Sequence, residues 1–331
     1  MYGDQGGCMI DGGGWFRAVP EQGSMPKDGR GVRRMKETHA GQDERLSEPL
    51  FIPMMAKAFL YDWFGVIGLL TVPLVSGCTP TKVRSAERFD KGYVIILPGI
   101  EGVSYLNANI AKGLVDGGVP STIEVYDWTA GSVLLFPVNL RALDRNKRQA
   151  RIVARKIMDY QDQFPSRPVH LIGHSGGGGL AVLTLEALPP DRTIASAILL
   201  APALAPDHDL RRAMRRTEYG IYNYYSPHDV GFLRAGTTIM GTIDGRHTSA
   251  AGACGFTLPW GLDKEDRQLY RTRLHQQRYT RKMAKSGHSG GHTGWAKRGF
   301  VAQWLAPVIR SHVDAQTEFA SDVLPGGATQ P

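Results

Sequence analysis

The chain has 331 residues, 42% of them apolar, and carries 39 Lys+Arg against 31 Asp+Glu for a net charge of +8. That apolar share supports a real core and excludes a wholly disordered or low-complexity chain. The length allows one large domain or two small ones. No repeat with a period of roughly 20–50 residues is present, which excludes solenoids and propellers, and three cysteines cannot build a disulfide framework.

Residues 1–53 are rich in glycine and charge with little apolar periodicity, and read as a disordered leader or as a stretch ahead of the true start that is not translated. Residues 54–77 have signal-peptide architecture: Met54 and Met55, then Lys57, an apolar run from Trp63 to Val75, and small residues after it. The run is too short to span a bilayer comfortably, and Asp62 interrupts its start. Translation is expected to begin at Met54 or Met55. Val75-Ser76-Gly77-Cys78 resembles the bacterial lipobox. The resemblance implies a diacylglyceryl group on Cys78, a mature N-terminus there, and a chain tethered to the bacterial cell envelope without spanning it. Thr79, in place of the aspartate of inner-membrane retention, leans towards the outer membrane. The alternative is a cysteine that merely ends a plain signal peptide or membrane anchor.

Cys8 lies in the leader, Cys78 in the lipobox, and Cys254 stands alone in a Gly/Ala loop with nothing nearby to activate a thiolate. From Cys78 onwards the chain has 31 basic and 22 acidic residues. Arg211, Arg212, Arg215 and Arg216 form one basic cluster; a second runs from Arg267 to Lys285. Anionic lipid headgroups or acidic polymers fit an envelope protein better than nucleic acid does, and a solvated basic face fits equally well. No nucleic-acid partner is expected, and the protein is expected to be a monomer.

Residues 78–91 read as a lipidated polar tether, 92–312 as the folded domain, and 313–331 as a disordered tail. In the domain, Tyr93 to Leu97 reads as a buried strand ending in the glycine-bracketed loop Pro98-Gly99-Ile100-Glu101-Gly102. A helix follows from Tyr105 to Leu114, ended by Gly117-Gly118, then a strand from Ile123 to Tyr126. Asp127 to Asn139 reads as a loop with exposed apolar residues, Trp128 among them, and Ala142 to Phe164 as a long helix with a basic face.

Val169 to Ile172 is a short apolar strand, Ala181 to Leu188 a helix stopped by Pro189-Pro190, and between them Gly173-His174-Ser175-Gly176-Gly177 fits G-x-S-x-G. A serine on such a turn takes a strained backbone, flanking glycines allow close approach, and the helix start aims N–H groups at an anion. The same pentapeptide recurs at Gly287-His288-Ser289-Gly290-Gly291, behind polar, basic residues and with no strand leading in. It reads as a glycine loop, so Ser175 is the candidate nucleophile. Ala197 to Ala201 is the next buried strand, and the strand–helix alternation argues for a mostly parallel sheet with helices on both faces.

From Tyr93 to about Arg310 the chain resembles the α/β-hydrolase superfamily, through Leu97-Pro98-Gly99, the elbow at Gly173–Gly177, an acid-bearing segment and a late glycine-flanked histidine. The resemblance implies an α/β-hydrolase fold with a small cap or none, and a triad in the order Ser, Asp/Glu, His. Tyr222 to Asp229 places Asp229 just beyond a β-type run, and Gly291-His292-Thr293-Gly294 places His292 before a helix from Ala296. Asp244, Asp207 and Asp209 are the rival acids, and His288 the rival base. His288 and His292 stand four apart, but glycines between them and the missing glutamate argue against a metal pair. His174 and His247 read as a packing and a surface residue.

The chemistry asks for these residue types, since a serine hydroxyl needs an imidazole to take its proton and a carboxylate to hold that imidazole. The backbone N–H groups of Gly176 and Ile100 are expected to bind the oxyanion, without a side-chain donor. The reading is a serine hydrolase acting on small-molecule or lipid carboxylic esters, requiring no cofactor and no metal. Thioesterase, peptidase and acyltransferase chemistry use the same parts. The alternative is a non-catalytic surface lipoprotein of the same fold that binds acidic polymers or a partner.

Overall fold

A computed structural model describes residues 82–131, 136–229, 237 and 241–323. The leader, the signal segment, Cys78 and residues 324–331 lie outside the described residues.

Seven strands form one sheet: β1 (Lys82–Val83), β2 (Tyr93–Leu97), β3 (Thr122–Val125), β4 (Val169–His174), β5 (Ser196–Leu200), β6 (Ile221–Tyr225) and β7 (Leu274–Arg278). Their order is β1-β3-β2-β4-β5-β6-β7, all parallel except β1, which runs antiparallel to β3. Strands β2, β4 and β5 are buried along their whole length, because both faces of a parallel sheet are covered by crossover helices. This is the α/β-hydrolase fold that the elbow and strand pattern lead one to expect.

Alternation along β2 sorts the two cores. Tyr93, Ile95 and Leu97 pack with α4 (Leu143–Gln163) and α5 (Gly176–Ala187) on one face; Val94 and Ile96 pack with α2 (Tyr105–Asp116) and the C-terminal helix on the other. That last helix starts with a turn at Arg298–Phe300, passes a π turn at Val301–Leu305 and continues from Ala306 to Val323, so it reaches well into the segment read as a disordered tail. At the other end, β1 pairs with β3, and Phe89 of α1 (Ala86–Phe89) stacks on Phe164 at 5.8 Å. Lys82–Phe89 therefore belongs to the fold, although the sequence reads it as part of a polar tether.

The remaining helices are brief. Between strands β5 and β6 there is α6 (Arg211–Met214), and before β7 come α7 (Ala251–Cys254) and α8 (Lys264–Arg273). The short α3 (Phe136–Arg141) occupies part of the segment read as an exposed loop. Trp128 in that segment is fully buried, and its Nε1–H donates to Pro98 O at 2.7 Å. Cys254 is disulfide-bonded, which corrects its reading as a lone thiol; Cys8 and Cys78 are the other two cysteines of the chain.

The elbow packs backbone on backbone. A Cβ at Gly177 would overlap the carbonyl oxygens of Leu97 and Pro98, and one at Gly173 would overlap the Gly177 carbonyl. Rigid main chain cannot give way as a side-chain tip can. Gly177→Ala is therefore expected to lose about 2 kcal/mol or more in urea unfolding. Gly291→Ala, at a position where a Cβ meets nothing within 4 Å, should stay within about 0.5 kcal/mol of the parent.

Candidate active site

Ser175 follows the last residue of β4 and caps α5 with φ 55 and ψ −120, a conformation that L-residues avoid. Three hydrogen bonds hold it there: Ser175 N–H to Leu200 O at 2.9 Å, Gly178 N–H to Ser175 O at 3.0 Å, and Ala203 N–H to Ser175 O at 2.9 Å. The serine is 8% exposed, at the C-terminal edge of the sheet. The Gly176 and Gly177 amides, at the start of α5, precede any acceptor that the helix could offer them.

The loop after β2 comes up against that turn. A Cβ at Gly176 would lie 2.7 Å from Ile100 Cγ2 and 3.6 Å from Ile100 N, so the two expected oxyanion amides are neighbours. Trp128 holds Pro98 O, and Asn139 Nδ2–H donates to Ile100 O at 2.9 Å. Asn139 is in turn fixed by Asn146, whose Nδ2–H donates to Asn139 O at 2.9 Å. From the sequence none of these three has a role at the site: Trp128 reads as part of an exposed loop, Asn139 as the end of that loop and Asn146 as part of the following helix, and only the buried position of the two asparagines marks them out.

Beyond β6, Asp229 is 2% exposed and its Oδ2 accepts from His292 Nδ1 at 2.5 Å. A buried carboxylate needs such a partner, because desolvation alone would cost several kcal/mol. His292 thus has its Nδ1 taken up by the acid, which leaves Nε2 as the basic nitrogen. The acid and base loops are joined as well: Ser226 Oγ–H donates to Gly290 O at 2.6 Å, and Asp229 N–H to Ser226 O at 3.1 Å. His174, beside the serine, donates from Nε2 to His292 O at 3.2 Å, with the two rings 4.9 Å apart.

The rivals go elsewhere. Asp244 is bound to His208 and to Thr242 Oγ1. Asp207 pairs with Arg246 and Asp209 with Arg211. His288 is enclosed by Trp295 at 4.0 Å and Phe300 at 5.1 Å, and its Nδ1 accepts from Gly290 N–H at 2.9 Å. Ser289 is exposed on the loop between two 3-10 turns. Among the described residues no group of three or more His, Cys, Asp or Glu could hold a metal ion.

One acidic group was overlooked. The Glu101 carboxyl folds back over Gly99, and Ser104 Oγ–H reaches it at 3.5 Å. Its enclosure pushes its pKa up, against the pull of the nearby His292 ring.

No protein-family profile matches the chain, and no curated protein sequence matches it. Solved structures of similar shape include esterase B from Lactobacillus Rhamnosis (HN001), 11% identical over 81% of this chain and 97% of that one, with a TM-score of 0.44. Esterase PE8 is 13% identical over 73% and 97%, with a TM-score of 0.38. A lipase/esterase from Lactobacillus plantarum is 12% identical over 57% and 76%, with a TM-score of 0.36. Likenesses this distant carry nothing about activity; the fold assignment rests on the strand order and the elbow.

Burial lowers the pKa of His174 to about 3 and of His288 to about 4, so both are neutral in the folded protein. In the unfolded chain each takes up a proton near pH 6.5. A histidine with a depressed folded pKa loses stabilisation as pH falls below the unfolded value. The urea midpoint is therefore expected to fall between pH 6.5 and 5, above the range where most carboxylates protonate; a flat profile there would contradict the buried neutral histidines.

Proposed function

We propose that the chain is a serine hydrolase that cleaves carboxylic esters through an acyl-enzyme. The observation that carries this reading is the Asp229–His292 hydrogen bond of 2.5 Å, made beside a serine held at φ 55 on a strand-to-helix turn. Ser175 Oγ attacks the ester carbonyl while His292 Nε2 takes its proton. The carbonyl oxygen gains charge between the Gly176 and Ile100 amides. His292 then gives its proton to the departing alkoxide, and a water repeats the sequence to release the acid. Asp229 keeps the proton on Nδ1 and stabilises the imidazolium.

Small-molecule or lipid esters are the substrate class. The Arg211–Arg216 cluster gives little support to the polymer-binding alternative, because three of its four charges are engaged within the fold and Arg212 alone is exposed without a side-chain partner among the described residues. Arg211 and Arg215 bind Asp266 at 2.5 and 2.8 Å, and Arg216 Nε–H donates to Leu188 O at 3.2 Å.

Turnover of a chromogenic short-chain ester tests this reading. Ser175→Ala should abolish it. Asp229→Asn should lower kcat by roughly 10⁴, the loss typical of a triad imidazole in the wrong tautomer, whereas Asp207→Asn and Ser289→Ala should leave it within a few-fold. Equal losses in Asp229→Asn and Asp207→Asn would sink the triad assignment.

We also propose export to the cell envelope. A disulfide at Cys254 fits an oxidising compartment. A lipid on Cys78 uses up that sulfur, and cleavage ahead of Cys78 removes Cys8, so lipidation and a disulfide at Cys254 within one chain are alternatives. Mass spectrometry of the mature protein from its host decides between them: an N-terminal diacylglyceryl-cysteine at residue 78 is the expected result, and a Cys78–Cys254 peptide in an unreduced digest would contradict it.

A further inference from the structure

A second, half-buried histidine–carboxylate cluster lies at the far end of the nucleophile helix. His208 Nε2 contacts Glu186 Oε1 at 2.8 Å, and its Nδ1 contacts Asp244 Oδ2 at 3.2 Å. The three side chains are 18%, 22% and 10% exposed. With an acceptor at each ring nitrogen, only the doubly protonated imidazolium satisfies both bonds.

The cluster is tied to Ser175 through the main chain. Glu186 is in the last turn of α5, whose N-cap is Ser175. Asp244 Oδ1 accepts from Ala205 N–H at 3.3 Å. Its neighbour Ile243 donates N–H to Ala203 O at 3.0 Å, and Ala203 donates to Ser175 O at 2.9 Å. The Ile243 side chain also presses on Gly179, where a Cβ would overlap it, in the first turns of the same helix. His208 thus bridges the far end of α5 to the loop that braces its near end.

We propose that His208, charged between Glu186 and Asp244, is a positioning residue that fixes the backbone beneath Ser175, so that the reactivity of the serine follows the His208 proton. The proposal rests on the hydrolase reading of Ser175.

The surrounding charges leave the two carboxylates as the partners of the imidazolium. On its own loop, Asp207 pairs with Arg246 of the 242–247 segment and Asp209 with Arg211 of α6. Tyr270 of α8 faces Asp209, and His247 follows Arg246. Burial by itself would lower the His208 pKa; the hydrogen bonds and charges of Asp244 and Glu186 outweigh it and raise it to about 9. For a raised histidine the stabilisation is complete below the unfolded pKa near 6.5 and is lost as pH rises through the folded one.

The test follows the His208 Cε1 proton by NMR, assigned with His208→Gln, alongside the rate of fluorophosphonate labelling across pH 7–10.5. The expected result is a titration near 9 with the labelling rate falling through the same pH by roughly tenfold to a hundredfold, the scale of a small misplacement of reacting groups. His208→Gln should be slow at every pH, and His208→Lys, which keeps its charge, should hold the rate above pH 9. A titration near 6.5, or a labelling rate that does not change across the His208 titration, would overturn the proposal. If wild type is not labelled at any pH, the hydrolase reading falls separately. Amide hydrogen exchange at Ala203 and Ile243 then decides the clamp: protection factors that drop above the titration support it, and unchanged protection factors refute it.

Discussion

The site depends on one stretch of backbone that could not stand alone. Ser175 holds φ 55 and ψ −120, a strained conformation for a residue with a Cβ. It persists because its N–H is bonded to the last residue of β5 and its C=O to the loop that follows, and because Gly173 and Gly177 let α5 lie directly on the end of β2. The strain lifts the hydroxyl clear of the sheet edge. The same close contact brings the Ile100 amide beside Gly176, so the candidate nucleophile and the amides proposed for the oxyanion share a single packing constraint.

The other partners reach that point through loops that hold one another. Ser226 bonds to Gly290, coupling the turn that carries Asp229 to the turn that carries His292. His174 bonds the His292 carbonyl and stays neutral under burial, so no second cation competes beside the base. Trp128 and Asn139 fix the main chain of the β2 loop from beneath. A rigid constellation of this kind lowers the reorganisation needed as charge develops.

Much of this was legible from the residues. Continuous apolar runs marked β2, β4 and β5, and the glycines of the elbow announced a close backbone approach before any contact was seen. Asp229 and His292 followed from chain order and were then found hydrogen-bonded, while Asp244 and His288 proved to have partners of their own. Strand β7 was missed because Leu274-His275-Gln276-Gln277-Arg278 is a polar edge strand without the apolar signature of the interior ones. Trp128 was misread as exposed because a lone aromatic among loop residues gives no period to follow, and its burial depends on the long-range bond to Pro98. Glu101 and the Glu186–His208–Asp244 bridge are contacts between distant segments, which no local pattern encodes.

The central claim is that the turn at residues 173–177, not its duplicate at 287–291, carries an activated serine. Reaction of the folded protein with a fluorophosphonate, followed by tandem mass spectrometry of the digest, tests it most directly. The account predicts the phosphonyl adduct on Ser175, in the peptide between Lys156 and Arg192. An adduct on Ser289, or none on a protein shown to be folded, would contradict it.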